Sequence, residues 1–582
     1  MLVGFGLLTG ALAVLAVTTR VPLSWLMISL AILSVIALFI RRQFPGGQST
    51  WIALALVSPI LVKAAGDQPA AWDDFWNWLP SAAYGYYQNS LPWPDLAPSL
   101  SIFPGYPQGM PLIIAAASFI GGRFLESAGP MINVLLLAGS SALFAEALAA
   151  ALVRHGHLPM ETPPVVLIAG ATLITILLNP GLDGAVVLSS YADCGTMVAV
   201  GALALLGVEI LARLSTRGPA NVEGLAWRFG FVGAMLVNLK QANPVLLALV
   251  AAGLMLIVLR DPAIRTVRAL LQLPRMLGPG IVLVALWRWY VVENLSNSEQ
   301  AFRPMDTWHF AALESTFNSI LGYMTEAPLF HALMWLVTAA GLFCLFRVPQ
   351  WPREARTLAI VGATVWLGYN VFLLFVYLGA MSESDAYGAA DYWRYTPHVS
   401  LLGLYAPVMA LAVVRWPLWT NWRSPVLTVA VVLLTLCVLP LRSDLNDPPG
   451  RAWQGFLRNA AEDMRHVIPA GSKVVIVSLL FPNSLPFGVA VRYYLWQLDL
   501  PEQQIITSIR WDDRELATVT SSVGRGRADY LIIHDADGNM DKATDTLRLP
   551  RLNRELALFA WRAGAWERIK SWPVPLALIH AD

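Results

Sequence analysis

The chain has 582 residues, 57% hydrophobic and only 13% charged, against roughly 25% charged in an ordinary soluble protein. This excludes a water-soluble fold of that size, and a formal net charge of +1 offers no broad surface for nucleic acid or another polyanion. Cys194, Cys344 and Cys437 lie far apart in apolar stretches; they lack the spacing of a zinc site or a disulfide framework and read as small core hydrophobes.

In chain order, the apolar run from Leu2 to Val17 lacks a small-residue cleavage pattern and is kept as a membrane span. Segments long enough to cross about 30 Å of hydrocarbon follow from it. They occupy 2–19, 22–40, 50–66, 129–153, 163–180, 194–213, 226–242, 244–260, 278–292, 328–346, 357–379, 397–414 and 424–441, which predicts about thirteen transmembrane helices. The shorter stretch 109–122 opens after Pro107 and reads as a juxtamembrane or re-entrant helix. With that assignment one set of connections carries Arg41, Arg42, Arg154, Arg213, Arg260, Arg347, Arg353 and Arg415 among others. The opposite set carries Arg20, Arg123, Lys240, Arg288, Arg303 and Arg394. The richer set belongs in the cytoplasm, so the N-terminus is cytoplasmic and the residues after Leu441 are external.

Beyond Leu441 charges rise. The β-rich runs 473–477, 504–507 and 530–534 alternate with helical patterns near 451–466 and 486–498, which predicts a small soluble α/β domain over 442–582. The turn-rich segment 444–450 is its linker.

The external loop 67–128 opens with Trp72-Asp73-Asp74-Phe75-Trp76-Asn77-Trp78-Leu79-Pro80. Ionised carboxylates among tryptophans at a membrane surface are costly unless solvated, paired or used, and an Asp so placed is a candidate general base toward a hydroxyl. A helix cap within an interfacial aromatic belt is the plainer alternative. Tyr106-Pro107-Gln108-Gly109 closes the loop and reads by itself as a rigid turn. Tyr191-Ala192-Asp193 brings another carboxylate to the same membrane face, to hold an acceptor or a metal or to cap a helix. Asn238-Leu239-Lys240-Gln241-Ala242-Asn243-Pro244 interrupts two apolar helices, and Lys240 can bind a phosphate as a point charge. Arg394 offers a planar fork to phosphate oxygens, and His398 adds a donor or is a satisfied interfacial histidine.

Asp73, Asp193, Lys240 and Arg394 come from distant parts of the chain yet share one predicted membrane side. Carboxylates and cations at one depth suit a reaction between a hydroxyl and a lipid-linked phosphate.

Through Trp72-Asp73-Asp74-Phe75, Trp78-Leu79-Pro80, Tyr106-Pro107-Gln108-Gly109, Tyr191-Ala192-Asp193 and Lys240, roughly the first 400 residues resemble the C-type (GT-C) glycosyltransferases. These are polytopic membrane enzymes that take a sugar from a polyprenyl-phosphate carrier. The resemblance implies a polytopic α-helical GT-C-like domain over 1–441, with Asp73, Asp74 and Asp193 as catalytic carboxylates and Asp73 as the base. It implies Lys240, Arg394 and His398 as carrier-phosphate ligands, and Trp72, Trp78, Tyr106, Tyr191 and Gln241 as substrate-loop residues. Ser81 departs from the basic residue that relatives carry after the Leu-Pro. The implied partners are a polyprenyl-phosphate-linked sugar, a glycan, lipid or protein acceptor, and membrane lipid; the implied home is a bacterial inner membrane, with the C-terminal domain periplasmic. Asp73, Asp74 and Asp193 have oxygens that suit Mg²⁺ or Mn²⁺, but no ligand spacing demands a metal, and none is expected to be required. A multi-span transporter, a glycan ligase or polymerase, and a non-catalytic assembly subunit are the rival readings; no internal repeat supports the first.

Overall fold

The computed structural model describes residues 1–41, 47–67, 71, 73–158, 162–215, 222–264, 266–295, 301–347, 351–414, 425–438, 451–469, 471–479, 487–496, 503–508, 520–521, 523, 528–535 and 541–575. Trp72 and the predicted linker 444–450 lie outside the described residues. The chain divides into two compact units, Met1–Pro69 with Ser81–Asn446, and Ala70–Pro80 with Asp447–Asp582.

The first unit is a polytopic helical bundle. Each predicted span contains helix, but among the described residues nine helices are long and apolar enough to cross a membrane. The other predicted spans hold the 19-residue helix Leu23–Arg41, the helices Val222–Val237 and Pro425–Val438, and the Val165–Thr172 helix, which passes into a π-helical turn at Leu173–Leu177. The stretch read as juxtamembrane is the short helix Gly109–Gly121.

Helix Asp193–Leu214 is buried along nearly its whole length and forms the centre of the bundle. Its neighbours pack closely where small residues permit. At Gly341 an added Cβ would overlap the Ala359 carbonyl, which explains a glycine where Pro328–Phe346 meets Arg353–Gly379. Buried hydroxyls are satisfied in place. The Tyr405 ring stacks on Phe144 at 3.9 Å, and its hydroxyl hydrogen-bonds Ser140 Oγ at 2.9 Å and Thr175 Oγ1 at 3.2 Å.

At the end of the bundle away from Asp193, Arg154 donates from Nη1 to Glu209 Oε2 at 2.7 Å and from Nε to Glu354 Oε1 at 2.9 Å. Arg213 adds a 2.9 Å bond to Glu209. Three spans are thus joined by ion pairs of balanced sign.

The second unit holds a five-stranded sheet in the order β2-β1-β3-β4-β5, with β1 Val474–Leu479, β2 Gln503–Ser508, β3 Tyr530–His534, β4 Glu555–Arg562 and β5 Ala565–Pro573. The first three are parallel, and β4 and β5 are antiparallel additions. Parallel pairing requires a crossover, and helix Phe487–Trp496 lies in the one between β1 and β2. Val475 and Val477, Leu531 and Ile533, and Ala557 and Phe559 alternate onto one buried face. Ala563 and Gly564, at φ 49° and 86°, make the two-residue turn between β4 and β5; such a turn needs positive φ at both positions. Lys570 Nζ and Trp572 Nε1 donate to exposed Asp463 Oδ2 at 2.7 and 2.8 Å and hold that carboxyl below its ordinary range.

Candidate active site

Four ionisable side chains from three separate helical regions of the first unit meet around one carboxylate. Asp193 opens its helix directly after Ala192, where the helix's positive end favours an anion. Lys240 lies in the break between Val222–Val237 and Asn243–Arg260. Pro244 starts the second of these without needing a donor. Asn243 Nδ2 bridges the gap by donating to Leu236 O at 2.8 Å and Thr196 Oγ1 at 2.9 Å.

Arg394 sits in the one-turn helix Tyr392–Tyr395, after Ala389 and Asp391, whose left-handed φ of 45° and 62° turns the chain. His398 lies in the 3₁₀ turn Thr396–Val399 that leads into helix Ser400–Val413.

Lys240 Nζ donates to Asp193 Oδ1 at 2.6 Å, His398 Nε2 lies 2.8 Å from the same oxygen, and Arg394 Nε is 3.6 Å away. All four residues are buried. A carboxylate only accepts, so His398 carries hydrogen on Nε2. Its Nδ1 is 2.8 Å from the Tyr369 hydroxyl, which donates to it when the ring is neutral. Both ring nitrogens are therefore engaged, Nε2 with Asp193 and Nδ1 with Tyr369.

The aromatic side chains complete the setting. Arg394 lies over the Tyr191 ring at 4.8 Å and over Tyr395 at 5.2 Å, and Lys240 is 5.2 Å from the same Tyr395 ring. Cation–π contact of this kind places a charge without neutralising it. Two cations thus share one buried carboxylate. Asp391, 3.7 Å from Arg394 and half exposed, is a second and looser counter-charge.

Asp193 Oδ2 is buried and has no hydrogen-bond partner among the described residues. Asp193 also lines a cavity of about 20 Å³, with Cys194, Trp393, Arg394 and Pro397, which is room for about one water. The site has the local features of an anion-binding centre with a carboxylate that orients its cations.

Other predicted residues are placed differently. Tyr106 stacks on Phe103 at 4.8 Å and its carbonyl accepts from Gln108 Nε2 at 2.8 Å, so the motif is a self-bonded turn. Its Gly109 donates to Asn238 O at 2.8 Å, and an added Cβ would stand 2.5 Å from that oxygen. The turn is thereby fastened two residues from Lys240. Gln241 lines a separate cavity with Pro107, Asn238 and Trp287.

Asp73, Asp74 and Trp78 belong to the second unit. There Asp74 Oδ2 accepts from Ala71 N at 2.9 Å, and Phe75 packs against Tyr493 and Tyr494 at 5.5 and 5.8 Å. The segment Asp74–Trp78 is a π-helical turn, a form that recurs at functional sites.

Two residues that the sequence reading left out of the site join it. Tyr369 is a polar interruption in the apolar helix Arg353–Gly379, followed at once by Asn370, whose Oδ1 accepts from Tyr392 at 2.6 Å. That pair of polar residues was the available signal. Tyr395 is the ring shared by the two cations. Among the described residues no group of three or more His, Cys, Asp or Glu side chains is arranged to hold a metal ion.

No protein-family model matches the chain, and no curated protein does. Among solved structures, ArnT from Cupriavidus metallidurans bound to undecaprenyl phosphate aligns with TM-score 0.42 and 12% identity over 89% of this chain and 98% of its own. The Archaeoglobus fulgidus oligosaccharyltransferase in its apo form aligns with TM-score 0.43 and 11% identity over 91% and 74%. The Archaeoglobus fulgidus oligosaccharyltransferase AglB in complex with an inhibitory peptide and a dolichol-phosphate gives 0.42 and 12% over 90% and 75%.

Proposed function

We propose that this protein is an integral-membrane glycosyltransferase that moves a sugar from a polyprenyl-phosphate carrier to an acceptor hydroxyl at the periplasmic face of a bacterial inner membrane. The observation that carries the proposal is the pairing of Lys240 and Arg394 on one buried carboxylate. Two cations held at the end of an apolar bundle suit the phosphate of a lipid arriving through the membrane.

In this reaction the acceptor oxygen forms a bond to the anomeric carbon, and the bond from that carbon to the carrier phosphate breaks, taking its electron pair with the phosphate. Lys240 and Arg394 stabilise the charge that develops there. Asp193 orients both cations, and His398 with Tyr369 fixes Asp193. Asp73 takes the hydroxyl proton as general base, with Asp74 beside it, and the single displacement inverts the anomeric centre. Trp72, Trp78, Tyr106, Tyr191 and Gln241 serve the substrate loops in this scheme. The acceptor is a glycan, lipid or protein, and the chemistry as written requires no metal.

Asp73→Asn, reconstituted with a panel of polyprenyl-phosphate sugars, should lose turnover while carrier still raises its thermal stability. Turnover at the unmutated level would remove Asp73 from the chemistry and favour transport or a scaffold role.

A further inference from the structure

Residues 301–327 connect the helix Leu273–Asn294 to the helix Pro328–Phe346. They carry two 3₁₀ turns, Met305–Thr307 and Phe310–Ala312, and the helix Leu313–Glu326. On an α-helix Leu313, Phe317 and Leu321 recur every fourth position and lie on one face. They are 43, 53 and 44% exposed, and Phe302, Met305 and Phe310 before them are exposed as well. Such a run of large apolar side chains on one face calls for an occupant.

The opposite flank is polar and already tied down. Thr316 Oγ1 donates to Ala386 O at 2.6 Å, and Ser315 and Ser319 donate to Tyr387 O at 3.1 and 3.0 Å.

The depth of the segment follows from its anchors. Arg303 N donates to Gly379 O at 2.9 Å and His309 N to Leu378 O at 3.0 Å, the last carbonyls of the span Arg353–Gly379. Trp308 packs on Phe375 at 5.9 Å, one turn inside that span. The exposed apolar side chains therefore stand at the level where a span ends. Trp308, Phe302 and Phe310 form an aromatic cluster there, as membrane–water boundaries favour.

The helix does not continue into the next span. Pro328 disfavours α geometry at the preceding residue. Ala327 accordingly sits at φ −120° and ψ 61°, and the chain changes direction. Leu329, in the first turn of that span, is exposed as well.

We propose that this segment lies in the headgroup–acyl boundary of the bilayer, with Phe310, Leu313, Phe317 and Leu321 immersed in lipid and Glu314 and Asn318 turned to water. The occupant of the apolar face is the lipid itself. The segment touches the candidate site through Tyr323, whose ring is 6.0 Å from that of Tyr392, two residues before Arg394. The membrane-lying placement does not depend on the glycosyl-transfer reading.

The test uses the unmodified full chain in nanodiscs containing a phospholipid with a photoactivated carbene on its acyl chain, beside hydroxyl-radical labelling from the aqueous side. Carbene label should concentrate at Phe310, Leu313, Phe317 and Leu321, with radical label at Glu314 and Asn318. Strong radical label at Phe317 and Leu321 without carbene label would overturn the proposal. Protection of those residues from both reagents would also overturn it, because it would mean that a protein covers the face.

Discussion

Substituting Asp193 by Asn removes a charge on which two buried cations depend. Lys240 Nζ lies 2.6 Å and Arg394 Nε 3.6 Å from Asp193 Oδ1. At an effective dielectric near 20, attractions at these two distances come to about 6 and about 5 kcal/mol before desolvation, and breaking a buried pair by removing one partner costs about 3–5 kcal/mol. Asp193→Asn should therefore lose about 3–5 kcal/mol of unfolding free energy. Lys240→Met leaves Asp193 with Arg394 and His398 and should cost less, about 1–3 kcal/mol. Combined, the two substitutions should cost less than their sum by about 0.5–3 kcal/mol, as for other residues in one ion-pair network. The assay is sodium dodecyl sulfate titration of the full chain in mixed micelles, followed by tryptophan fluorescence, for the parent and three variants. Additivity within about 0.5 kcal/mol would refute the claim that Asp193 and Lys240 act as one unit.

Gly109→Ala would place a methyl against the carbonyl and the side-chain Cγ of Asn238. It should cost about 1–3 kcal/mol and weaken carrier-induced stabilisation, since Asn238 lies two residues from Lys240; wild-type stability in the same titration would contradict this. In the second unit His534 is buried at the end of β3, and burial pushes its imidazole down to about 3 from an ordinary 6.5. Between those values the unfolded chain holds a proton that the folded one lacks. The stability from this group is complete above about pH 6.5 and falls by about 1.4 kcal/mol per pH unit as pH drops toward 3. Hydrogen exchange at the β3 amides, corrected for intrinsic rates, should show that slope, and His534→Gln should lessen it; equal slopes in parent and variant would rule His534 out.

Helical spans were legible in the sequence because crossing hydrocarbon imposes a local demand, a run of apolar residues with every backbone group bonded within the segment. The break at Lys240 was legible for the same reason, since Pro244 and three amides cannot continue an apolar helix unnoticed. The three parallel strands were visible as β-branched runs. Strand β5 was not, because Glu567, Arg568 and Lys570 lie between its tryptophans on a half-exposed surface and mimic a polar loop; in β4 the run Leu556-Ala557-Leu558-Phe559-Ala560 is buried throughout and has neither alternation nor β-branched residues.

The site divides along the same line. Charge distribution along the chain groups Asp73, Asp193, Lys240 and Arg394 only as an expectation about membrane side; the structure brings Lys240, Arg394 and His398 to Asp193 within the first unit. Their arrangement was set by packing across separations of 47 residues between Lys240 and Asp193 and 205 between His398 and Asp193. No pattern within a helix specifies which side chain will accept from which at those separations. Only the tertiary structure gives His398 to Asp193 and Tyr369 to His398, because each bond exists only where two spans present their polar residues at the same depth and on facing sides.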